Sequence, residues 1–249
     1  MALISLSLGI GHSRRMRIRL VAVTLLLLAG CGGSDSTSLP QGGERAKLDA
    51  EDFVARVDHA YWPMRPGSRW VYREDGARIT ATVTDTTKEV LGIRATVVHD
   101  VVSEDGEVVE DTYDWYGQDK DGNLWYLGED TKELAKGKVK STKGSWEAGV
   151  DGAEAGVILP AEPKVGMRYR QEYYKGEAED AGEILSLDER VEVPFGRFDD
   201  VVKTKDYTPL EPDVVENKYY AKGVGPVLAV TVSGGSGREE LIRFKPGRG

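Results

Sequence analysis

Residues 101–109 read Val-Val-Ser-Glu-Asp-Gly-Glu-Val-Val. Two pairs of β-branched valines flank Asp105-Gly106, and Asp-Gly accepts the positive φ angles that a type I′ turn demands at both central positions. The stretch therefore specifies a hairpin. The same grammar extends outward: Asp121-Gly122-Asn123 separates residues 113–116 from 124–127, Lys136-Gly137 offers a further turn, and Gly234-Gly235-Ser236-Gly237 lies between 226–232 and 238–244. Ile79, Ala81 and Val83, then Ile93, Ala95 and Val97, repeat the period of two of half-buried strands. Only residues 47–59 read as a short helix, with Leu48, Phe53, Val54 and Val57 toward one face and acids in the first turn. Long amphipathic helices are missing. The expected fold is all-β: curved antiparallel sheet of ten to fourteen strands, packed as a half-barrel or a sandwich, with one short N-terminal helix.

An internal correspondence runs through this pattern. Gly67-Ser68-Arg69-Trp70 matches Gly166-Met167-Arg168-Tyr169. Gly92 precedes Val97-Val98 by the same interval as Gly196 precedes Val201-Val202, and Trp115-Tyr116 is answered by Tyr219-Tyr220. The order is kept at an offset near ~100 residues, which raises two related halves, 61–160 and 161–249, as one organisation of the body 47–249.

Charge separates the body from what precedes it. The chain has 33 Lys+Arg and 42 Asp+Glu; four arginines precede Cys31, leaving 29 basic residues and a net charge of −13 in the remainder. A surface this acidic repels phosphate backbones, so no nucleic-acid partner is expected. Arg14, Arg15, Arg17 and Arg19 precede an apolar run, Leu20 to Leu28, too short to span hydrocarbon but sized for a signal peptide over 1–30. A start at Met16 would give a more compact basic region. Cys31, the one cysteine, closes that run, and residues 31–46, rich in Gly, Ser and Asp, read as a flexible tether.

The run Leu28-Ala29-Gly30-Cys31 resembles the lipobox of bacterial lipoproteins. The resemblance implies cleavage before Cys31, attachment of diacylglycerol with fatty acyl chains such as palmitate to its sulfur, and an extracytoplasmic, membrane-anchored place in the cell envelope. Anchoring by more than one acyl chain is stable, because each buried methylene contributes ~0.8 kcal/mol. Gly32 rather than Asp in the second mature position favours outer-membrane sorting. The blocks YWPMRPGSRWVY (61–72) and YYAKGVGPVL (219–228) are similar to those of uncharacterised β-rich bacterial secreted and lipoprotein families; that resemblance implies a β-rich body and brings no activity with it.

No catalytic constellation emerges. His59 and His99 are the only histidines after Cys31, no H-E-x-x-H occurs, and Gly234-Gly235-Ser236-Gly237-Arg238 lacks the final Gly of a nucleophile elbow. Asp119-Lys120-Asp121-Gly122-Asn123 departs from the calcium-loop order and reads as a tight turn. No cofactor, metal or enzyme activity is expected. Against that stands a carboxylate-based glycan-acting reading, which would bring Asp111, Asp114, Glu177 and Asp188 together in one cleft. The main expectation is a non-catalytic lipoprotein whose concave sheet face takes a hydrophobic ligand or an envelope partner, by analogy with the open half-barrels of lipoprotein carriers; an interaction scaffold without a groove is one alternative, and a glycan-acting enzyme or glycan-binding module, with a glycan as partner, the other. Adjacent aromatics on a strand face opposite ways, so Trp62, Trp70, Trp115 and Trp125 are the candidate ligand-contact rings.

Overall fold

The computed structural model describes residues 39–248. The signal peptide, the lipobox, Cys31 and the first part of the tether lie outside the described residues. The strands form two series. The first holds β1 (Phe53–Val54), β2 (Arg69–Glu74), β3 (Ala77–Val90), β4 (Ile93–Glu104), β5 (Glu107–Asp119), β6 (Leu124–Ala135), β7 (Lys138–Ser141), β8 (Trp146–Glu147) and β9 (Glu154–Leu159). The second holds β10 (Arg168–Arg170), β11 (Glu172–Tyr173), β12 (Ala181–Val193), β13 (Gly196–Tyr207), β14 (Val215–Ala221), β15 (Gly225–Ser233) and β16 (Arg238–Lys245).

The protein is all-β, and its strands make one antiparallel sheet in the order β10-β12-β13-β14-β15-β16-β2-β3-β4-β5-β6-β9-β11, with β1, β7 and β8 attached at the side. The turns follow local chemistry. Asp105 and Gly106 take φ of 49° and 85°, and Lys136-Gly137, Asp75-Gly76 and Leu91-Gly92 adopt the same pair of positive angles. The short helix is a single 3₁₀ turn, Ala50–Asp52, capped by the Asp49 side chain, which accepts from the Glu51 amide at 3.0 Å. It stops short of the 47–59 span because Phe53 and Val54 pair with Asp119 and Gln118 as β1, and Phe53 meets Trp125 edge-on.

Closure of the sheet comes from one short segment. β10 and β11 flank Gln171, yet they occupy opposite ends of the strand order: β10 pairs with β12, and β11 with β9. The sheet thus returns on itself in a nearly closed, barrel-like form. At this seam Gly156 lets backbones approach, since a Cβ there would lie 2.4 Å from the Arg170 carbonyl oxygen and from the Gln171 backbone. Gly156→Ala is expected to destabilise the protein by about 1–3 kcal/mol, the cost of overpacking at a site that cannot relax. Urea unfolding measures it, and an unchanged midpoint would show that the seam yields freely.

Two long hairpins bend over neighbouring parts of the sheet. Register shifts between Val83 and Thr87, and at three places between Ile184 and Val191, bend β3–β4 and β12–β13 as bulges do. The first tip reaches past β8, where Leu91 occupies the space over Gly149 and Lys88 pairs with Glu147 at 2.9 Å. The second reaches β16, where the Phe195 amide donates to the Leu241 carbonyl at 3.1 Å. The residues aligned in the sequence lie on these strands: Trp70 on β2 and Tyr169 on β10, Val97-Val98 and Val201-Val202 on β4 and β13, Trp115-Tyr116 and Tyr219-Tyr220 on β5 and β14. Trp62 lies between the equivalent rings Tyr116 and Tyr220, at centroid distances of 5.4 and 6.0 Å.

Candidate functional site

Cross-strand register sets which side chains share the enclosed face. Val83, Val98, Asp114 and Glu129 stand in one row across β3 to β6, and Ala81, Asp100, Thr112 and Thr131 in the next. In the second series Gly182, Asp206 and Glu216 form one row, and Ile184, Thr204, Lys218, Ala229 and Glu239 another. Asp100, Asp114, Glu129, Glu172, Asp206 and Glu239 are all buried there beside Tyr72, Tyr116, Tyr126, Tyr169 and Tyr220. This face is an acidic, tyrosine-rich chamber. The sheet face expected from sequence to carry aliphatic and aromatic side chains instead carries carboxyls at apolar positions.

Several of these groups are tied down. Tyr126 Oη donates to Asp114 Oδ1 at 2.7 Å, Trp146 Nε1 to Glu172 Oε2 at 2.8 Å, and Thr204 Oγ1 and Gln171 Nε2 to the two Asp206 oxygens at 2.6 and 3.1 Å. Lys218 Nζ lies 2.9 Å from Asp206 and 3.7 Å from Glu216. Both Asp100 oxygens, Asp114 Oδ2, Glu239 Oε2 and the hydroxyls of Tyr116 and Tyr169 have no hydrogen-bond partner.

Burial governs the electrostatics, because a carboxylate removed from water is costly and takes a proton instead. Burial, reinforced by Glu110 and Glu129, pushes Asp100 up to about 7. Burial, then Glu129 and Asp100, holds Asp114 well above the usual carboxylate range, and burial with Asp100, Glu74 and Glu216 does the same to Glu239. Asp180 rises to about 7 through burial and then through Glu172; Glu216 rises to about 7 through burial, against the pull of Lys218. Burial opposes the charge on Lys218, but Asp206 and Glu216 outweigh it and keep the ammonium protonated far into alkali.

A cleft of about 450 Å³ opens beside the seam. Tyr173, Tyr207, Pro209, Pro212 and Val215 give it apolar lining, and Arg170, Glu172, Glu179, Asp180 and Lys205 give it charged lining. Glu172 and Asp180 also border a smaller cavity of about 10 Å³ lined by Lys218, Tyr126 and Tyr220. That volume has room for one water molecule. Chain entering the body forms one edge of the cleft. Residues 39–46, within the stretch read as a tether, are docked: the Arg170 amide donates to the Pro40 carbonyl at 2.8 Å, Gln41 Nε2 to the Arg168 carbonyl at 2.6 Å, and Arg170 Nη1 to the carbonyls of Gly42 and Glu44.

The residues singled out from sequence are placed elsewhere. Trp62 and Trp70 are buried, and Trp70 Nε1 donates to the Val224 carbonyl at 2.8 Å. Aromatic pairs do split across the sheet, with Tyr116 and Tyr126 on the chamber side. Their partners Trp115 and Trp125 are nevertheless covered, Trp115 by Lys88 at 4.6 Å from its centroid and Trp125 by Phe53. None of the four tryptophans lines the cleft. Asp111, Asp114, Glu177 and Asp188 are not brought together: Asp111 pairs with His99 at 3.3 Å, Asp188 binds Ser186 at 2.8 Å, Glu177 is exposed in a turn, and only Asp114 is in the chamber. Asp119 closes its turn by accepting from Asn123 and Trp125. No group of three or more His, Cys, Asp or Glu among the described residues is arranged to hold a metal ion.

Glu172, Asp180, Asp206, Lys218 and Glu239 escaped the reading of the sequence. A signal existed for some chamber acids: Asp100 stands in phase with Val98 and Val102, so an acid occupies the apolar phase of an alternating strand.

No known protein family matches the chain, and neither does any curated protein sequence. Among solved structures, a crystal structure described as a "putative lipoprotein" from Parabacteroides distasonis ATCC 8503 is similar at 11% identity and a TM-score of 0.41, covering 75% of this chain and 99% of that one.

Proposed function

We propose that this protein is a lipid-anchored lipoprotein of the bacterial cell envelope that binds a small ligand without transforming it. The anchor is read from Leu28-Ala29-Gly30-Cys31 behind a basic and apolar leader. The binding role rests on the cleft beside the seam, whose volume falls in the range of small-molecule sites and whose walls combine apolar rings with a few convergent polar groups. Its lining includes residues 41–43, ten positions downstream of Cys31, so on this reading the cleft lies close in the chain to the anchor.

Fractionation of cells expressing the wild-type chain and Cys31→Ser tests the anchor. The wild-type protein is expected in the membrane fraction, with a mature N-terminus at residue 31 carrying the mass of a diacylglyceryl group. The variant is expected in the soluble fraction. A Cys31→Ser protein that stays with the membrane would sink the reading.

A further inference from the structure

We infer that the lysine-rich β6–β7 hairpin docks the body onto an anionic phospholipid surface, that of the bilayer holding the anchor at Cys31. The inference rests on the reading of the chain as lipid-anchored and adds which part of the body meets the membrane.

Charge is the first observation. Residues 131–144 carry Lys132, Lys136, Lys138, Lys140 and Lys143 against Glu133 alone, in a chain that is otherwise acidic. The turn is made by Lys136 and Gly137, both at positive φ, and sets Val139 opposite Leu134 and Lys138 opposite Ala135. Among the described strands β7 pairs with β6 only, so its outer edge is free. Lys132 is held by Asp130 at 2.9 Å. Lys136, Lys138, Lys140 and Lys143 are exposed and, among the described residues, take part in no ion pair. Val139 in their midst is 53% exposed. Solvated ammonium groups around one apolar side chain match a layer of anionic headgroups, which attracts each basic residue brought within a screening length of it.

The neighbouring turns show that the sign of this charge is particular to the hairpin. Lysines on a free edge discourage strand pairing between proteins, but acids keep a surface soluble equally well. In the meander β2 to β6 alternate turns share one end of the sheet, and the other two turns at that end are acidic: Glu74 and Asp75 precede Gly76, and Glu104 and Glu107 flank Asp105-Gly106. An anionic surface repels those turns and is met through the β6–β7 hairpin.

The length of the leash is the second observation. Leu39 packs against the core, eight residues beyond Cys31. Fully extended chain spans about 3.3–3.6 Å per residue, so Leu39 stands no more than about 29 Å from the anchored sulfur. That is less than the width of the body, about 40 Å for a domain of this size, so the body cannot stand clear of the bilayer. The docked segment also lies toward the end of the sheet that carries the hairpin. Gly43 sits against the Tyr173 ring, and the Ala46 amide donates to Glu154 at 3.1 Å. Glu154, opposite Tyr173, is the first residue of β9, which runs antiparallel to β6 and so starts toward the C-terminal half of β6, from which the hairpin projects.

A single introduced thiol reads the docking, because acylation of Cys31, the one cysteine of the chain, leaves no other to label. The mature lipidated protein carrying Val139→Cys is labelled with an environment-sensitive fluorophore. It is reconstituted into vesicles of phosphatidylcholine, or of phosphatidylcholine and phosphatidylglycerol in equal parts. Glu107→Cys, on an acidic turn, is treated in parallel. In the anionic vesicles the Val139→Cys label is expected to report an apolar surrounding, with a docked-to-free ratio about thirtyfold higher than in phosphatidylcholine, equivalent to about 2 kcal/mol. The gain should vanish in about 0.5 M salt, where the screening length falls to about 4 Å. It should vanish as well when Lys136, Lys138, Lys140 and Lys143 are all replaced by Glu; Lys138→Glu/Lys140→Glu serves the same purpose should the fourfold variant not fold. The Glu107→Cys label should stay in water throughout. An equal response in both kinds of vesicle would overturn docking by charge. No response in either would overturn docking and leave the anchor intact. A response that grows with protein density in phosphatidylcholine would overturn it in favour of the acidic surface of a second copy. Two labels on each chain would show Cys31 unmodified, which removes the anchor and this inference with it.

Discussion

Acidification from pH 8 to pH 5 is expected to stabilise this protein, the reverse of the behaviour of a fold held by ionised carboxylates. Asp100 has an ordinary value of 3.8 and sits at about 7 in the folded chain. Between those two pH values the folded state keeps the proton and the unfolded state has lost it. Stability is therefore fully present below the unfolded value and falls as pH rises through the folded one, by up to about 1.4 kcal/mol per pH unit for one such group. For Asp100 the whole loss amounts to about 4 kcal/mol once pH exceeds 7. Asp180 and Glu216, each at about 7, act in the same sense, as do Asp114 and Glu239, which burial also raises well above their ordinary values. Their contributions interact and do not add. Urea unfolding at pH 5, 6, 7 and 8 at constant ionic strength reads the slope. Asp100→Asn should flatten it and raise stability at pH 8, because it removes the charge that burial penalises. A stability maximum at pH 7 to 8 would contradict the burial of these acids.

Removing Lys218 is expected to be the most damaging single change in the chamber. Its ammonium is the counter-charge to Asp206 and Glu216, with a side chain only 10% exposed. Lys218→Met keeps the volume of the stem and strands the two acids, and breaking one side of a buried ion pair costs about 3–5 kcal/mol. The loss should be largest at pH 8 and shrink toward pH 5, where Glu216 takes a proton and no longer needs a partner. The double variant Lys218→Met/Asp206→Leu should recover much of the loss, since replacing both members of a buried pair by apolar groups is often neutral. Unfolding of the two singles and the double completes the cycle. Equal losses in Lys218→Met and in the double variant would show that the pair is not coupled.

Both expectations depend on residues whose importance alternation conceals. A strand such as Val97-Val98-His99-Asp100-Val101-Val102 declares two faces, and Asp100 belongs with Val98 and Val102. Alternation cannot say that this face is the enclosed one, because Val97 on the other face is buried as well. For the same reason the tryptophans misdirect the search for a site. Trp115 and Trp125 do point away from the chamber, as the adjacency rule requires, but Lys88 at a hairpin tip and Phe53 of β1 cover them. Those covers come from residues 27 and 72 positions away in the chain.

What the sequence determined by itself was local: the Asp-Gly turns, whose φ angles are set within two residues, and the period-two strands they join. These follow from steric preferences and side-chain patterning over a few neighbouring residues. The tertiary structure alone decided that β10 and β11 close the sheet at its two ends, that the enclosed face is acidic, and that Glu172, Asp180 and Lys218 border one small cavity. Those outcomes depend on register between strands far apart in the chain and on the desolvation that closure imposes, and neither is encoded in any short stretch.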